Sequence, residues 1–421
     1  MNAGTIHVIS TEMFRMVVGI FTDTFYPEIN GVATSVLLLK RELENIGNSV
    51  YVFTSNTPEL KKCEDIENTF RLPSAPFVFL PSRRVAVVYK RSVAHKIRSL
   101  NLDIIHTNTE FSLGMFGKLM AAALNIPVVH TYHTLYKDYV HYISKGRMTT
   151  FSLELARRFS RSFCNNCHAL IVPTEKTKDV LLEYNVDRPI DVIPTGIDIG
   201  PFRRKESDEG EIRALKEKFG IGENDRVVMY VGRLAKEKNI HVVVEQMPKY
   251  ISKSPNTKLL LVGDGPLKKR IKEIAATGGI LGNVVFTGEQ PWNQIDKFYK
   301  MGDVFISASL SETQGLTFIE AMAAGLPVVA KRDRAIEDLV VDGHSGYIFD
   351  SNDEIPSILS RVFDDDGLRM EMGANAVRTA ELYSSGQFAE SVLESYQKAL
   401  ASWDISGIQA KLSNRILSKI V

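Results

Sequence analysis

The sequence predicts an α/β protein of two doubly wound, Rossmann-like domains, on three observations. Ten short Val/Ile/Leu-rich runs lack apolar–polar alternation, the pattern of parallel strands buried on both faces. Segments of helical length separate the runs, and repeated βα units build parallel sheets covered by helices. The runs fall into two sets of five around a charged, Gly-containing break.

Residues 1–15 are set aside as an N-terminal extension. In the first domain, 16–196, strands are expected at Val17–Phe21, Val50–Thr54, Ile104–Thr107, Val128–Thr131 and Leu170–Pro173. The clearest helix runs from Val32 to Ile46. Val32, Val36, Leu39, Leu43 and Ile46 make one apolar face, and Gly47 follows as C-cap. The break lies at Val192–Asp198, and Arg203–Gly210 reads as a linker. In the second domain, 197–385, strands are expected at Val227–Gly232, Leu259–Gly263, Val284–Thr287, Val304–Ser307 and Pro327–Ala330. Residues 386–421 read as C-terminal helices crossing back to the first domain, with Ile408, Leu412, Ile416 and Ile420 on one face. A closed eight-stranded barrel would repeat evenly, without the central interruption. Open sheets bind ligands at the carboxyl ends of their strands, so a cleft between the domains is expected.

Composition excludes several classes. The 421 residues are 44% hydrophobic and 24% charged, with a net charge of +1, which argues against a general nucleic-acid binder. No stretch of 18 apolar residues reads as a spanning helix, and no secretory signal opens the chain. Cys63, Cys164 and Cys167 are too few for a disulfide scaffold; Cys164 and Cys167 read as structural residues at a helix end.

Three motifs carry chemistry. Thr22–Val32 joins the first strand to the first helix, and Gly31 sits where backbone N–H groups can meet a phosphate. The dinucleotide fingerprint is missing there, which weighs against a nicotinamide or flavin enzyme. In Gly232-Arg233-Leu234-Ala235-Lys236-Glu237-Lys238, Arg233 and Lys238 leave a strand's carboxyl end, where two cations suit a diphosphate. In Ser311–Glu320, Glu312 lies in a loop, Gly315-Leu316 opens a helix, and Glu320 stands in an apolar stretch where a carboxylate needs a partner. Carboxylates accept hydrogen bonds from vicinal hydroxyls and so suit a sugar or a ribose.

With Asn30-Gly31, Ile193–Asp198, Gly232-Arg233…Lys238, Val262–Pro266 and Glu312…Glu320 in order, the chain resembles the family-4 retaining glycosyltransferases of GT-B fold from Met16 onward. His106–Gly114 and His130–Tyr142 further resemble bacterial 1,2-diacylglycerol 3-glucosyltransferases. The resemblance implies transfer of α-glucose from UDP-glucose to diacylglycerol at a membrane surface. It implies Arg233 and Lys238 on the donor diphosphate, helped by Gly31 and the Gln314–Leu316 amides. Glu312 would contact the donor sugar, Glu320 the ribose, and Gly263 the donor site generally. His133 would lie near the sugar. Retention would follow a same-face route in which the departing diphosphate oxygen helps deprotonate the acceptor. No cofactor is required; a divalent metal would be stimulatory at most, not an obligate protein-bound ligand.

Charge is unevenly placed. Arg71–Arg161 holds 14 Lys+Arg against 4 Asp+Glu, while the rest of the chain holds 37 against 46. This basic segment is interleaved with apolar residues and suits an anionic bilayer surface. Asp23, Glu110, Arg83, Arg84, Arg157, Arg158 and Arg161 are candidates toward the acceptor or the membrane. The expectation is a cytoplasmic enzyme, peripheral on the inner face of the cell membrane, with no nucleic-acid partner. The rivals are a relative acting on phosphatidylinositol or a soluble sugar, a nucleotide-sugar epimerase, and a non-catalytic sugar-nucleotide-binding module.

Overall fold

The computed structural model describes residues 15–28, 30–58, 64–77, 80–86, 91–133, 150–310, 312 and 314–417, without the side chains of 77, 80–83, 91, 150–153 and 404–417. The chain divides into two compact units, one formed by 1–172, 178–193 and 389–421, the other by 173–177 and 194–388.

The first unit's sheet joins β1 (Val17–Thr22), β2 (Ser49–Ser55), β3 (Thr69–Leu72), β6 (Ile104–Thr107), β7 (Val128–Thr131), β8 (Ala169–Val172) and β9 (Ile190–Val192). The order is β3-β2-β1-β6-β7-β8-β9, and every pairing is parallel. A separate antiparallel hairpin pairs β4 (Ser74–Phe77) with β5 (Leu80–Ala86). All five expected strands are present; β3, β9 and the hairpin were not anticipated. Phe21, Phe53 and Phe70 stack across the β1–β2–β3 face at 4.6 and 5.1 Å between ring centroids, so β3 is held by aromatic packing rather than by an apolar run of its own.

The expected first helix forms at Gly31–Asn45. Asn30 caps it by accepting from the Ala33 amide, and Gly47 follows at φ +92°. The C-terminal helix, Ser385–Leu417, joins the first unit from Ala389 onward. The buried Tyr396 hydroxyl meets His106 Nδ1 at 2.7 Å, and Trp403 packs edge-on against His168. The face of Ile408, Leu412, Ile416 and Ile420 lies outside the described side chains. Cys164 and Cys167 are buried free thiols at the end of the Thr150–Asn165 helix.

The second unit's sheet joins β10 (Arg226–Val231), β11 (Thr257–Val262), β12 (Val284–Gly288), β13 (Val304–Ser307), β14 (Val328–Lys331) and β15 (Gly346–Phe349) in the order β12-β11-β10-β13-β14-β15. Again all pairings are parallel. In both sheets the strand order reverses beside the first strand, between β1 and β6 and between β10 and β13. Loops diverge at such a switch point, which opens a crevice at the carboxyl ends.

Candidate active site

In the second unit the switch point collects the motif residues. After β10, Gly232 adopts φ +149° and turns the chain into Arg233. The Tyr230 hydroxyl and the Ala235 amide both hold the Arg233 carbonyl, at 3.1 and 2.9 Å. The backbone is thereby fixed, while the Arg233 side chain is exposed and has no partner among the described residues. Lys238 ends a short 3-10 turn at Lys236–Lys238, and its Nζ donates to Glu312 Oε1 at 2.7 Å. Glu312 follows β13, so the pair bridges the two strands that flank the switch point. The side chains are 26% and 12% exposed, which leaves both partly open to a ligand.

Gly315, at φ +73°, caps the Leu316–Ala323 helix. A Cβ there would stand 2.9 Å from Ile336 Cδ1, so glycine is needed for the turn itself. The Gln314 side chain clamps the Thr195 backbone, accepting from its N–H at 2.9 Å and donating to its carbonyl at 2.5 Å. Only the Gln314 main chain is therefore left for a donor phosphate. Glu320, on the same helix, accepts from the buried Tyr299 hydroxyl at 2.6 Å. Burial pushes its carboxyl up to about 7, although the Tyr299 bond favours the ionised form. Tyr299 is the partner that the apolar surroundings of Glu320 demanded, and nothing in the spacing pointed to it.

Gly263, at φ +134°, bridges to Gly288 after β11 and β12. A Cβ on it would lie 2.1 Å from the Gly232 carbonyl oxygen. Three strand ends thus pack backbone to backbone, and Gly263 has a structural reason to be glycine.

In the first unit, the carboxyl ends of β1, β6 and β7 gather polar side chains. Asp23, a candidate toward the acceptor, is held by the first unit itself. Its carboxylate accepts from Thr109 Oγ1 at 2.6 Å, from Ser112 Oγ, and from the Leu113 amide at 3.1 Å. Asp23 thus caps the Ser112–Leu124 helix from a distance, and burial raises its pKa. Such a satisfied carboxylate has little left for an acceptor. Glu110 is also buried, with its Oε1 3.4 Å from His130 Nε2.

His133 lies two residues beyond β7, and its Nε2 meets Asn108 Oδ1 at 3.0 Å. Burial, then the nearby His130, lowers the His133 pKa to about 4, with Glu110 opposing, so the ring is neutral at physiological pH. Residues 134–142 of that motif lie outside the described residues. Gly31 is exposed at the start of its helix, and a Cβ there would touch nothing within 4 Å. The fold does not require glycine at this position.

The basic candidates separate. Arg84 is committed to the hairpin, donating to Ser74 Oγ and O at 2.8 Å; the Arg83 side chain lies outside the described residues. Arg157, Arg158 and Arg161 line a pocket of about 510 Å³ with Glu154, Ser162 and Tyr184; Arg158 pairs with Glu154 at 2.9 Å and Arg157 donates to the Glu183 carbonyl at 2.7 Å. An exposed apolar stripe that the sequence did not point to begins at Phe111 and runs along the Ser112–Leu124 helix. Phe111, Met115 and Leu119 recur at helical spacing, 54%, 46% and 65% exposed, and Phe111 stacks against Phe159 at 6.4 Å.

Among the described residues no helix is long and apolar enough to cross a membrane, and no cluster of three or more His, Cys, Asp or Glu could hold a metal ion. Residues 29–200 match the family model described as Glycosyltransferase Family 4, and 211–379 match Glycosyl transferases group 1. The chain is 39% identical over 334 residues to the alpha-monoglucosyldiacylglycerol synthase of Streptococcus pneumoniae, covering 79% of this chain and 75% of that one. It is 35% identical over 382 residues to the enzyme of the same name from Acholeplasma laidlawii, covering 89% and 95%. Among solved structures, Anabaena HepE in complex with UDP-glucose superposes with a TM-score of 0.67 at 18% identity, covering 91% of this chain and all of that one, a likeness of fold.

Proposed function

The chain belongs to the family-4 glycosyltransferases, and from that premise we propose that it transfers α-glucose from UDP-glucose to the 3-hydroxyl of 1,2-diacylglycerol with retention. The observation that carries the donor half is the Lys238–Glu312 pair with the unengaged Arg233 at the carboxyl ends of β10 and β13. The acceptor half rests on similarity to two synthases named for diacylglycerol. In the reaction the bond from the anomeric carbon to the diphosphate breaks, and a bond to the glycerol oxygen forms on the same face. The acceptor proton passes to the departing diphosphate oxygen. Arg233, Lys238 and the amides opening the Leu316–Ala323 helix stabilise the charge that develops on UDP. These groups supply positive charge at the leaving diphosphate, so a chelator is expected to lower turnover at most in part and not to abolish it.

The test supplies radiolabelled UDP-glucose and diacylglycerol in anionic vesicles, and the expected product is a chloroform-soluble α-glucolipid. Free labelled glucoside in water, or no product across several lipid compositions, would overturn the acceptor assignment.

Glu320 is the proposed ribose ligand. Ribose hydroxyls donate to a carboxylate, so nucleoside binding favours the ionised form of a group whose folded pKa is raised. Affinity should therefore rise about tenfold between about pH 6 and 8. Calorimetry with uridine, which has no titrating phosphate, measures this directly. Glu320→Gln should weaken binding and abolish the pH dependence.

The enzyme would act from the membrane surface through the stripe of Phe111, Met115, Leu119 and Phe159 and the pocket of Arg157, Arg158 and Arg161. Apolar area and basic residues act together at an anionic interface, each basic group contributing ~1 kcal/mol. In vesicle flotation, Leu119→Asp with Phe159→Asp should release the protein. Arg161→Glu should weaken binding to anionic vesicles only. Unchanged flotation of both variants would place the membrane contact elsewhere.

A further inference from the structure

Asn108 is the first residue after β6, and its amide N–H donates to the Phe21 carbonyl of β1 at 2.9 Å. Its side chain is 3% exposed. The side-chain oxygen meets His133 Nε2 at 3.0 Å, while its Nδ2 is buried without a hydrogen-bond partner among the described residues. An idle buried donor is destabilising, so the Nδ2 end of the amide adds nothing to the fold. The arrangement is better explained by what Asn108 does to His133.

A neutral imidazole carries one N–H, and an amide oxygen only accepts. With the amide oxygen of Asn108 facing the ring, the proton of His133 belongs on Nε2. Nδ1 keeps its lone pair and has no partner among the described residues. Burial and the nearby His130 on β7 disfavour the cation of the ring, Glu110 in the loop after β6 favours it, and His133 in turn disfavours the cation of His106 on β6. The ring stays neutral, so it cannot serve as a general acid, but it can receive a hydrogen bond.

We propose that Asn108 is a positioning residue for the transfer reaction: it fixes His133 as the Nε2–H tautomer, so that Nδ1 accepts a hydrogen bond from a substrate hydroxyl. The proposal rests on the glucosyltransferase reading for its substrate, but not for its tautomer.

Long-range nitrogen–proton NMR of the histidine rings, with His133 assigned through His133→Gln, reads the tautomer. Kinetics read the role. In the intact protein Nε2 should be protonated and Nδ1 bare at neutral pH. Asn108→Ala should give a mixture of tautomers and lower kcat/KM for UDP-glucose roughly fivefold to tenfold, the size of one hydrogen bond, with an unchanged melting temperature. Asn108→Asp places a carboxylate on Nε2, raises the pKa of the ring and converts Nδ1 into a donor. Its activity should fall at low pH and recover as pH rises through the new pKa, a profile that a purely structural residue would not produce.

The proposal is overturned if the intact protein carries the proton on Nδ1, or if Asn108→Ala leaves tautomer and kcat/KM as they were. It is equally overturned if the tautomer changes and transfer does not. A tautomer under the control of Asn108 in a protein that transfers no glucose would uphold the positioning and overturn the assigned activity instead.

Discussion

Replacing Lys238 by alanine is expected to lower kcat by about 10²–10³, the cost of removing one preorganised group from a developing charge. The reason lies in where Lys238 sits before any ligand arrives. Its ammonium is 2.7 Å from Glu312, on the loop that leaves the neighbouring strand, and both groups are only partly exposed. Lys238 is thus held in position by a carboxylate instead of sampling rotamers in water, and little ordering remains when the diphosphate binds. Removing it has a second consequence: Glu312 becomes a partly buried, unpaired carboxylate beside a site meant for an anion. A double-mutant cycle separates the two effects. Lys238→Ala with Glu312→Gln should recover any stability lost by Lys238→Ala alone, because no unpaired charge remains. It should recover none of the turnover, because the cation is still missing. Steady-state kinetics beside thermal melts read both quantities. Lys238→Ala with kcat within threefold of the intact enzyme would remove the residue from the transition state. Arg233, exposed and without a side-chain partner among the described residues, should behave differently. Arg233→Lys is expected to retain part of the activity, since the loop backbone is held by Tyr230 and Ala235 and not by the guanidinium.

This contrast also marks what a sequence can and cannot reveal. The ten Val/Ile/Leu runs became strands because a parallel strand covered on both faces has no polar side to disguise it. Strands that depend on neighbours were invisible. Thr69–Leu72 is held by aromatic stacking across two other strands. Gly346 of β15 approaches so near to β14 that a Cβ would stand 2.0 Å from the Val328 carbonyl oxygen, and a glycine-led run does not read as a strand. The same division runs through the site. Arg233, Lys238, Glu312 and Glu320 stand out in the sequence because ionisable residues beside strand ends and helix starts have a chemistry of their own. Their partners were not. Glu312 lies 74 residues from Lys238. Tyr299 reads as an ordinary core aromatic, and Asn108 as one polar residue among several. Asp23 illustrates the same limit: a carboxylate near a motif looks available in the sequence, and its Thr109, Ser112 and Leu113 donors are visible only in the fold.

Glycines at the two sheets give the second large effect, through a pair of substitutions that should behave in opposite ways. Gly263→Ala places a methyl group 2.1 Å from the Gly232 carbonyl oxygen and forces an L residue to φ +134°. Left-handed strain and overpacking together are expected to destabilise the second unit by roughly 2–5 kcal/mol. That is a large share of a domain's ~5–15 kcal/mol, and the melting temperature should fall by ~10 °C. Neighbouring atoms are backbone, so no rotamer change can relieve the clash. Gly31→Ala meets none of this, because nothing lies within 4 Å of the added methyl. Alanine is the better helix residue, so the melting temperature should hold or rise slightly. Yet the methyl stands at the start of the helix whose amides are proposed to receive a phosphate, and an approach to those amides needs a bare backbone. Gly31→Ala should therefore raise KM for UDP-glucose about tenfold or more in a fully folded enzyme, while Gly263→Ala loses activity only in proportion to the protein that unfolds. Scanning calorimetry and initial rates on the two variants, at a temperature where both remain folded, distinguish the cases. Wild-type KM in Gly31→Ala would mean that this glycine serves only the Asn-Gly turn, and that the phosphate is held elsewhere.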